Sequence, residues 1–284
     1  MIDGRTKVFG LIGNPVTHTL SPIIHNQLAA NLNMNLCYLP FKVEDGLDRA
    51  IAGAYALGIR GMNVTVPYKS EVIPYLSEVD EEALCIGAVN TLVRNENGYI
   101  GYNTDLYGLE KALESENIFL NEQKVLILGA GGAARAAAFL CARKCAGKII
   151  IMNRSKEHAQ KIIEDIRNRF TDCNIEFLSF EEQDRIKDDG YIVLQATKVG
   201  LFPNVNQSVL KDDELLNHVC AVYDFIYNPF ETQLMQQARV RGIPAYNGLK
   251  MLLYQGIRSY ELWNDCIIEP QMAQVIYERL KENI

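Results

Sequence analysis

Lys124-Val125-Leu126-Ile127-Leu128-Gly129-Ala130-Gly131-Gly132-Ala133-Ala134-Arg135 decides the fold. One lysine followed by four aliphatic residues reads as a strand buried on both faces. The run ends in glycines, and small residues then continue as a helix. Gly129, Gly131 and Ala134 fit the spacing G-x-G-x-x-A. The first glycine permits a tight turn, the second lets backbone approach a pyrophosphate, and Ala134 lets the helix lie close to its sheet. The helix start offers free N–H groups and the positive end of its dipole. Such a pattern is weak alone. Behind a strand and inside a βαβ unit, it points to a bound dinucleotide.

Downstream, Ile149–Met152, Ile175–Leu178, Tyr191–Leu194 and Val219–Phe225 read as further strands separated by helical stretches. This alternation predicts α/β architecture and, over residues 107–245, a doubly wound Rossmann domain. The second strand of the series ends in Asn153-Arg154-Ser155. An NAD protein usually places an acid there to hold the ribose 2′-hydroxyl. Arginine instead suits a 2′-phosphate, which favours NADP and leaves NAD possible. His158 stands one turn beyond Arg154, where a protonated imidazole would add attraction for phosphate.

Upstream, Val8–Ile12 reads as a strand, with Ser21 capping a helix whose first residue is Pro22. Tyr38–Val43 and Met62–Val66 read as strands, and Asp45–Leu57 as a helix ended by Gly58. Thr91–Arg94 and Tyr99–Asn103 read as a hairpin across Asn95-Glu96-Asn97-Gly98, followed by a helix from Asp105 to Glu116. These make a separate α/β domain over residues 1–106. Leu249–Ile284 reads as helical, so residues 246–284 are expected to pack back on the first domain.

Bulk properties bound the function. A chain of 284 residues has length enough for two cores. Its net charge of −7 argues against nucleic acid, and means that any anion site must be built locally. No run reaches the roughly 18 apolar residues of a membrane span. Met1-Ile2-Asp3-Gly4-Arg5 lacks the apolar stretch of a signal peptide, so a cytoplasmic protein without membrane association is expected. Seven scattered cysteines without a CxxC pair give no disulfide framework, and Cys141 and Cys145 read as helix packing. Four histidines without HExxH give no metal site. Nothing selects between a monomer and a homodimer.

Four motifs hold more polar residues and glycine than a core strand needs: Gly13–Pro22, Asn63–Lys69, Gly87–Thr91 and Gly101–Asp105. Each falls at a strand end, where open α/β sheets place ligands. Thr19 and Ser21 put two hydroxyls beside a helix start, a cradle for a small carboxylate. Thr65 and Asn90 add neutral groups suited to a polyol. Lys69 and Asp105 supply a cation and an anion that, paired, can exchange a proton with an alcohol losing hydride.

Taken together these motifs resemble the shikimate dehydrogenase family over nearly the whole chain. G-x-P-x-x-H-S-x-S-P-x-x-H-N is matched from Gly13 to Asn26, with Thr19 at the first serine. N-V-T-x-P-x-K, G-A-V-N-T and G-x-N-T-D are matched at Asn63–Lys69, Gly87–Thr91 and Gly101–Asp105. G-A-G-G-A-A-R and N-R-S follow at Gly129–Arg135 and Asn153–Ser155, then Asp224-Phe225-Ile226-Tyr227-Asn228-Pro229 and Gly248-x-x-Met251-Leu252-x-x-Gln255. The resemblance implies that Thr19 and Ser21 bind the carboxylate of shikimate or 3-dehydroshikimate. Thr65, Lys69, Asn90, Asp105 and Gln255 would hold the ring hydroxyls, and Tyr227 would line the pocket. Lys69 would be the general acid/base, oriented by Asp105. Cofactor contacts would come from Gly129, Ala130, Gly131, Gly132, Ala133, Asn153, Arg154, Ser155, His158 and Thr197. Phe225 and Gly248 would flank the nicotinamide.

Two departures bear on specificity. Thr19 adds a methyl, with a consequence for shikimate-versus-quinate preference. Gln195-Ala196-Thr197-Lys198 stands where the family has N-A-T-S, leaving Lys198 as either a phosphate contact or a solvated charge. The rival functions are a quinate/shikimate dehydrogenase accepting NAD, a non-catalytic quinate or shikimate sensor on the same fold, and an aminoshikimate-type enzyme. Intact Lys69 and Asp105 argue against the sensor.

Overall fold

The computed structural model describes residues 2–210 and 214–284; Met1, which heads the N-terminal stretch, lies outside the described residues. The chain divides into two units, one made of the chain through Gly108 with Leu252–Asn283, the other of Leu109–Met251.

The first unit carries β1 (Lys7–Gly13), α1 (Ser21–Asn31), β2 (Leu36–Lys42), α2 (Leu47–Ala56), β3 (Gly61–Val64), β4 (Glu78–Val79), α3 (Glu81–Ile86), β5 (Thr91–Arg94) and β6 (Tyr99–Tyr102). Their order in the sheet is β2-β1-β3-β5-β6-β4. The first three are parallel, and β5 joins β3 antiparallel through the pairing of Asn63 with Thr91. The β5–β6 hairpin pairs Arg94 with Tyr99, as the turn residues between them require. One sheet face is covered by an apolar cluster that includes Ile12, Ile51, Met62, Val64, Val72 and Leu92. Such side chains each stabilise the unit by roughly 1.5–3 kcal/mol on burial.

α4 (Asp105–Ser115) follows β6. Its first turn is held by Asn103, whose Oδ1 accepts from the Leu106 N–H at 3.2 Å. Asn103, and not Asp105, therefore serves as the capping acceptor, which leaves the Asp105 carboxylate available for other partners.

The second unit contains β7 (Lys124–Leu128), α5 (Gly132–Arg143), β8 (Lys148–Met152), α6 (Lys156–Arg169), β9 (Ile175–Leu178), β10 (Tyr191–Gln195), β11 (Val219–Asp224), α7 (Gln233–Val240) and β12 (Ala245–Tyr246). The sheet order β12-β11-β10-β7-β8-β9 is parallel throughout. Numbered within the unit this is 3-2-1-4-5-6 read from β9, the doubly wound arrangement, with its switch point between β7 and β10. β7 is buried from Val125 to Leu128, which explains its unbroken aliphatic run.

The expected single helical stretch Leu249–Ile284 is two helices, α8 (Leu249–Asn264) and α9 (Pro270–Lys281). Asp265, at φ +48°, ends the first, and Pro270 opens the second, where its missing N–H costs nothing. α8 lies against the first sheet: the Trp263 indole donates to Leu92 O at 2.9 Å. A Cβ on Gly61 would stand 2.3 Å from that indole nitrogen, so glycine is required where the ring crosses β3. Trp263 also stacks on Phe9 at 5.0 Å and lies 4.9 Å from His25. No helix among the described residues is long and apolar enough to cross a membrane.

Candidate active site

In the first unit the motifs converge at the carboxyl ends of β1 and β3 and around the start of β5. Thr65 N–H donates to Ile12 O, and Asn14 N–H to Val66 O, tying the loops after β1 and β3 together. A Cβ on Gly13 would meet the Thr65 methyl at 2.3 Å, so this close approach needs glycine. Val89 N–H donates to Lys69 O at 2.7 Å, which sets Lys69 beside Asn90.

The result is a chain of polar contacts. Lys69 Nζ donates to Asp105 Oδ2 at 2.6 Å, and Asn90 Nδ2 donates to Asp105 Oδ1 at 2.9 Å. The Lys69 and Asp105 side chains keep 32% and 20% of their surface exposed, so the pair is reachable from outside. An ammonium has three donors, and Asp105 takes one of Lys69's. Asn90 is buried.

Thr19 Oγ1 lies 3.2 Å from Ser21 Oγ and accepts from Ser21 N–H at 3.3 Å. Ser21 is the first helical residue and not the cap: Leu20 occupies the cap position without a side-chain bond, and Pro22 follows Ser21. The turn made by Thr19 takes the Ser21 N–H, so the serine hydroxyl is freed from capping and paired with threonine. Gln255 is buried on α8, and its amide donates to Leu252 O on its own helix; it makes no direct bond to Lys69 or Asp105 among the described residues. Tyr227 belongs to the second unit, where burial raises its phenol.

The cofactor candidates gather at the carboxyl edge of the parallel sheet. Gly129 takes φ +113°, and a Cβ there would press on Thr197 Cγ2 and Ala196 O at 3.0 and 3.2 Å. Gly131 caps α5 with φ −89° and no side-chain bond, while a Cβ on either Gly131 or Gly132 would meet nothing within 4 Å. No internal contact calls for glycine at these two positions, so their openness fits the backbone for a ligand's approach. Ala130 and Ala133 complete the turn. Asn153 Nδ2 donates to Ser155 O at 2.9 Å, holding the turn after β8. Arg154 and His158 are exposed, and no carboxylate pairs with Arg154 among the described residues. Ser155 gives its hydroxyl to Glu157 at 2.8 Å and must rotate away to meet a phosphate.

Gln195 accepts from Thr197 N–H at 2.5 Å and donates to Val199 O at 3.2 Å. The glutamine therefore closes this loop on itself, and Lys198 is left exposed. Phe225 N–H donates to Gln195 O, and Gly248 N–H to Ile226 O. A Cβ on Gly248 would sit 2.1 Å from Phe225 O, so Phe225 and Gly248 are brought together by a contact only glycine permits.

Residue type alone gives Asp224 no role. It is fully buried at the end of β11, accepting from Ile226 N–H at 3.0 Å and from Thr232 Oγ1 at 2.7 Å. Thr232 in turn caps α7. Burial pushes the Asp224 carboxyl up to about 6, with Ile226, Thr232 and nearby Gln195 offsetting part of the shift. The folded state therefore holds this proton more tightly than the unfolded chain, so ionising Asp224 weakens the fold as pH rises from about 4 to about 6. The shift corresponds to about 3 kcal/mol. His25 acts in the opposite sense. Fully buried, with no hydrogen-bond partner at either ring nitrogen among the described residues, it is pushed down to about 3 by burial, and its contribution is lost as pH falls below the ordinary histidine range. Asp224→Asn removes the first effect alone. Its stability relative to wild type should climb by about 3 kcal/mol between pH 4 and pH 7.5 in urea melts. Parallel curves for the two proteins would show that Asp224 does not titrate as its burial demands.

A doubly wound parallel sheet with an open glycine turn, in a chain whose other unit bears a partly exposed lysine–aspartate pair, defines a dinucleotide-binding α/β protein of the dehydrogenase class. The model of the shikimate dehydrogenase substrate binding domain matches residues 11–92, and that of shikimate / quinate 5-dehydrogenase matches residues 111–208. The shikimate dehydrogenase (NADP(+)) of Caldanaerobacter subterraneus subsp. tengcongensis is 42% identical over 282 residues, 99% of this chain and 98% of that protein. A crystal structure of a shikimate dehydrogenase in complex with NADP+ is 37% identical, covering 99% of this chain and 97% of that one, with a TM-score of 0.89. Shikimate 5-dehydrogenase from Listeria monocytogenes, in complex with shikimate and NAD, is 32% identical over 98% of both chains, with a TM-score of 0.90. The chain belongs to the shikimate dehydrogenase family.

Proposed function

We propose that this protein catalyses the reversible, NADP-dependent reduction of 3-dehydroshikimate to shikimate. The observation that carries the reading is the Lys69–Asp105 ion pair, braced by Asn90 and open to solvent on one side. NADP supplies the hydride chemistry when bound. The open Gly131 and Gly132 backbone would hold its pyrophosphate at the α5 start, and Arg154 its 2′-phosphate.

Lys69 performs the proton transfer. In reduction its ammonium gives a proton to the oxygen on which negative charge develops, and in oxidation its amine takes one from the alcohol. Asp105 keeps Lys69 in place through the 2.6 Å bond. Thr65 and Asn90 hold ring hydroxyls, with Gln255 of the same unit completing that side of the site. Thr19 and Ser21 hold the carboxylate. Phe225 and Gly248 bound the nicotinamide pocket.

The test is NADPH formation from shikimate, followed spectrophotometrically beside the four combinations of shikimate or quinate with NADP or NAD. Fastest turnover with shikimate and NADP supports the reading. Fastest turnover with quinate or NAD favours the broader enzyme, for which the Thr19 methyl is the motivating feature. No turnover with any pair supports a sensor.

The carboxylate cradle gives a second measurement. Ser21→Ala removes one hydroxyl donor to a charged group, a contact worth roughly 1.5–3 kcal/mol. KM for shikimate should rise about tenfold to a hundredfold. Because neutral hydroxyls do the holding, KM for shikimate should depend only shallowly on salt. A lysine or arginine bidentate on the carboxylate in a shikimate complex would refute the cradle.

A further inference from the structure

Behind Asn90 lies a cluster of buried hydroxyls with no assigned purpose. Thr91 Oγ1, Thr104 Oγ1 and Ser259 Oγ lie 2.8 to 3.1 Å from one another. All three residues are at most 1% exposed. They come from β5, from the residue before α4, and from α8. Asn63 closes the cluster from β3, with its Nδ2 at 2.9 Å from Ser259 Oγ and 3.2 Å from Thr91 Oγ1, and with its Oδ1 accepting from the Tyr38 phenol at 2.8 Å.

Counting protons gives the cluster a direction. Ser259 has one hydroxyl proton, and Gln255 O, one helical turn back, accepts it at 3.0 Å. The serine then accepts from Asn63 Nδ2 and from the Thr91 hydroxyl, its shortest contact at 2.8 Å, which spends the one Thr91 proton and leaves the Thr104 proton for another acceptor. Asn90 Oδ1 accepts from the Thr104 N–H at 2.7 Å and from the Thr104 hydroxyl at 3.2 Å, while the Thr91 oxygen stands 3.1 Å away with its proton given to Ser259. Turning the Asn90 amide by half a circle would set its NH2 against the Thr104 N–H, donor to donor, in a buried place. The backbone N–H therefore sets Nδ2 toward Asp105 Oδ1, the Thr104 hydroxyl fills the second lone pair of Oδ1 and holds the amide at that angle, and Asp105 Oδ2 is left for Lys69.

We propose that Thr104, supported by Thr91 and Ser259, is a positioning residue for the reaction, acting through the orientation of Asn90 to set the Asp105 carboxylate under Lys69. This rests on the function proposed above. It places the source of the site's order on α8, far along the chain, and not only in the motifs that hold the reacting groups. It also limits Asn90: with Oδ1 filled and one Nδ2 proton given to Asp105, a single N–H remains for substrate.

Thr104→Val keeps the shape and the backbone N–H but removes the hydroxyl; Thr104→Ser keeps the hydroxyl. Thr104→Val should lower kcat about tenfold, with KM for NADP unchanged, and Thr104→Ser should stay within about twofold of wild type. Because the effect runs through Asp105, adding Thr104→Val to Asp105→Asn should cause no further loss. Three results overturn the proposal: kcat of Thr104→Val within about twofold of wild type, Thr104→Ser as impaired as Thr104→Val, or a full additional loss on top of Asp105→Asn. If Thr104→Val does not fold, Ser259→Ala undergoes the same cycle with the same criteria. A readout independent of turnover separates this inference from the proposed function. In the free protein, the Asn90 side-chain NH2 should exchange slowly with solvent by NMR, and faster in Thr104→Val. Equal exchange in both proteins defeats the inference, even if shikimate is turned over. Inactivity of the wild type with shikimate defeats the function alone.

Discussion

Lys69→Ala should lower kcat by about 10²- to 10⁴-fold, the usual contribution of a positioned general acid or base. The fold should survive. The Lys69–Asp105 pair is partly exposed, and such pairs stabilise proteins by about 0–1 kcal/mol. Asp105 is not stranded by the loss, because Asn90 Nδ2 still donates to its Oδ1 and water can reach its other oxygen. The loss should therefore appear in turnover, with a melting temperature close to wild type. Asp105→Asn should also be severe, since Asn presents an amide where Lys69 Nζ needs a carboxylate at 2.6 Å. The double variant should be little worse than either single one, because residues acting as a unit are not additive. A kcat for Lys69→Ala within about threefold of wild type would remove Lys69 from the proton transfer.

Much of the frame was legible because local and global preferences agree in it. Lys124–Leu128 is aliphatic because its strand is covered on both faces, and its bounds could be read directly from composition. The β5–β6 hairpin could be read from Asn95-Glu96-Asn97-Gly98, since such residues suit few other conformations. β4, two residues long, carries no periodicity, and α3 is too short for its pattern to stand out. The break between α8 and α9 is hidden in the sequence although Pro270 marks it, because apolar residues continue on both sides.

The site divides along the same line. Lys69, Asn90 and Asp105 sit in motifs whose polar residues have no core role, and the structure brings these three into one hydrogen-bonded chain. Serine before proline has the habit of a cap, but Ser21 is the first helical residue and the Thr19 side chain, two residues back, takes its N–H. Ser259 had no signal at all. A serine inside a helical stretch says nothing of what lies across from it, and only β3, β5 and α8 meeting in space gives it neighbours. Asp224 is similar: its burial follows from the end of β11, the turn to Ile226 and the cap of α7 meeting at one point.

Arg154→Ala should cost the protein its preference for NADP. Arg154 follows β8, and Asn153 stands where an acid would favour NAD. Its guanidinium is exposed and has no carboxylate partner among the described residues, so no intramolecular bond has to break before it meets a phosphate. One or two charge-assisted hydrogen bonds of roughly 1.5–3 kcal/mol are at stake. KM for NADP should rise about tenfold to a hundredfold, toward the upper end at low salt, where screening is least. KM for NAD should stay nearly unchanged, since NAD lacks the phosphate that Arg154 would hold. That difference separates loss of a phosphate contact from damage to the loop, which would weaken both cofactors alike. Arg154→Lys should recover part of the preference: it restores the charge but not the planar, two-pronged donor. The neighbouring carboxylate of Glu157, bonded to Ser155, works against an incoming phosphate, so Glu157→Gln should strengthen NADP binding modestly. Equal increases in KM for NADP and NAD in Arg154→Ala, or a wild-type kcat/KM higher with NAD than with NADP, would show that the 2′-phosphate is not read at this turn.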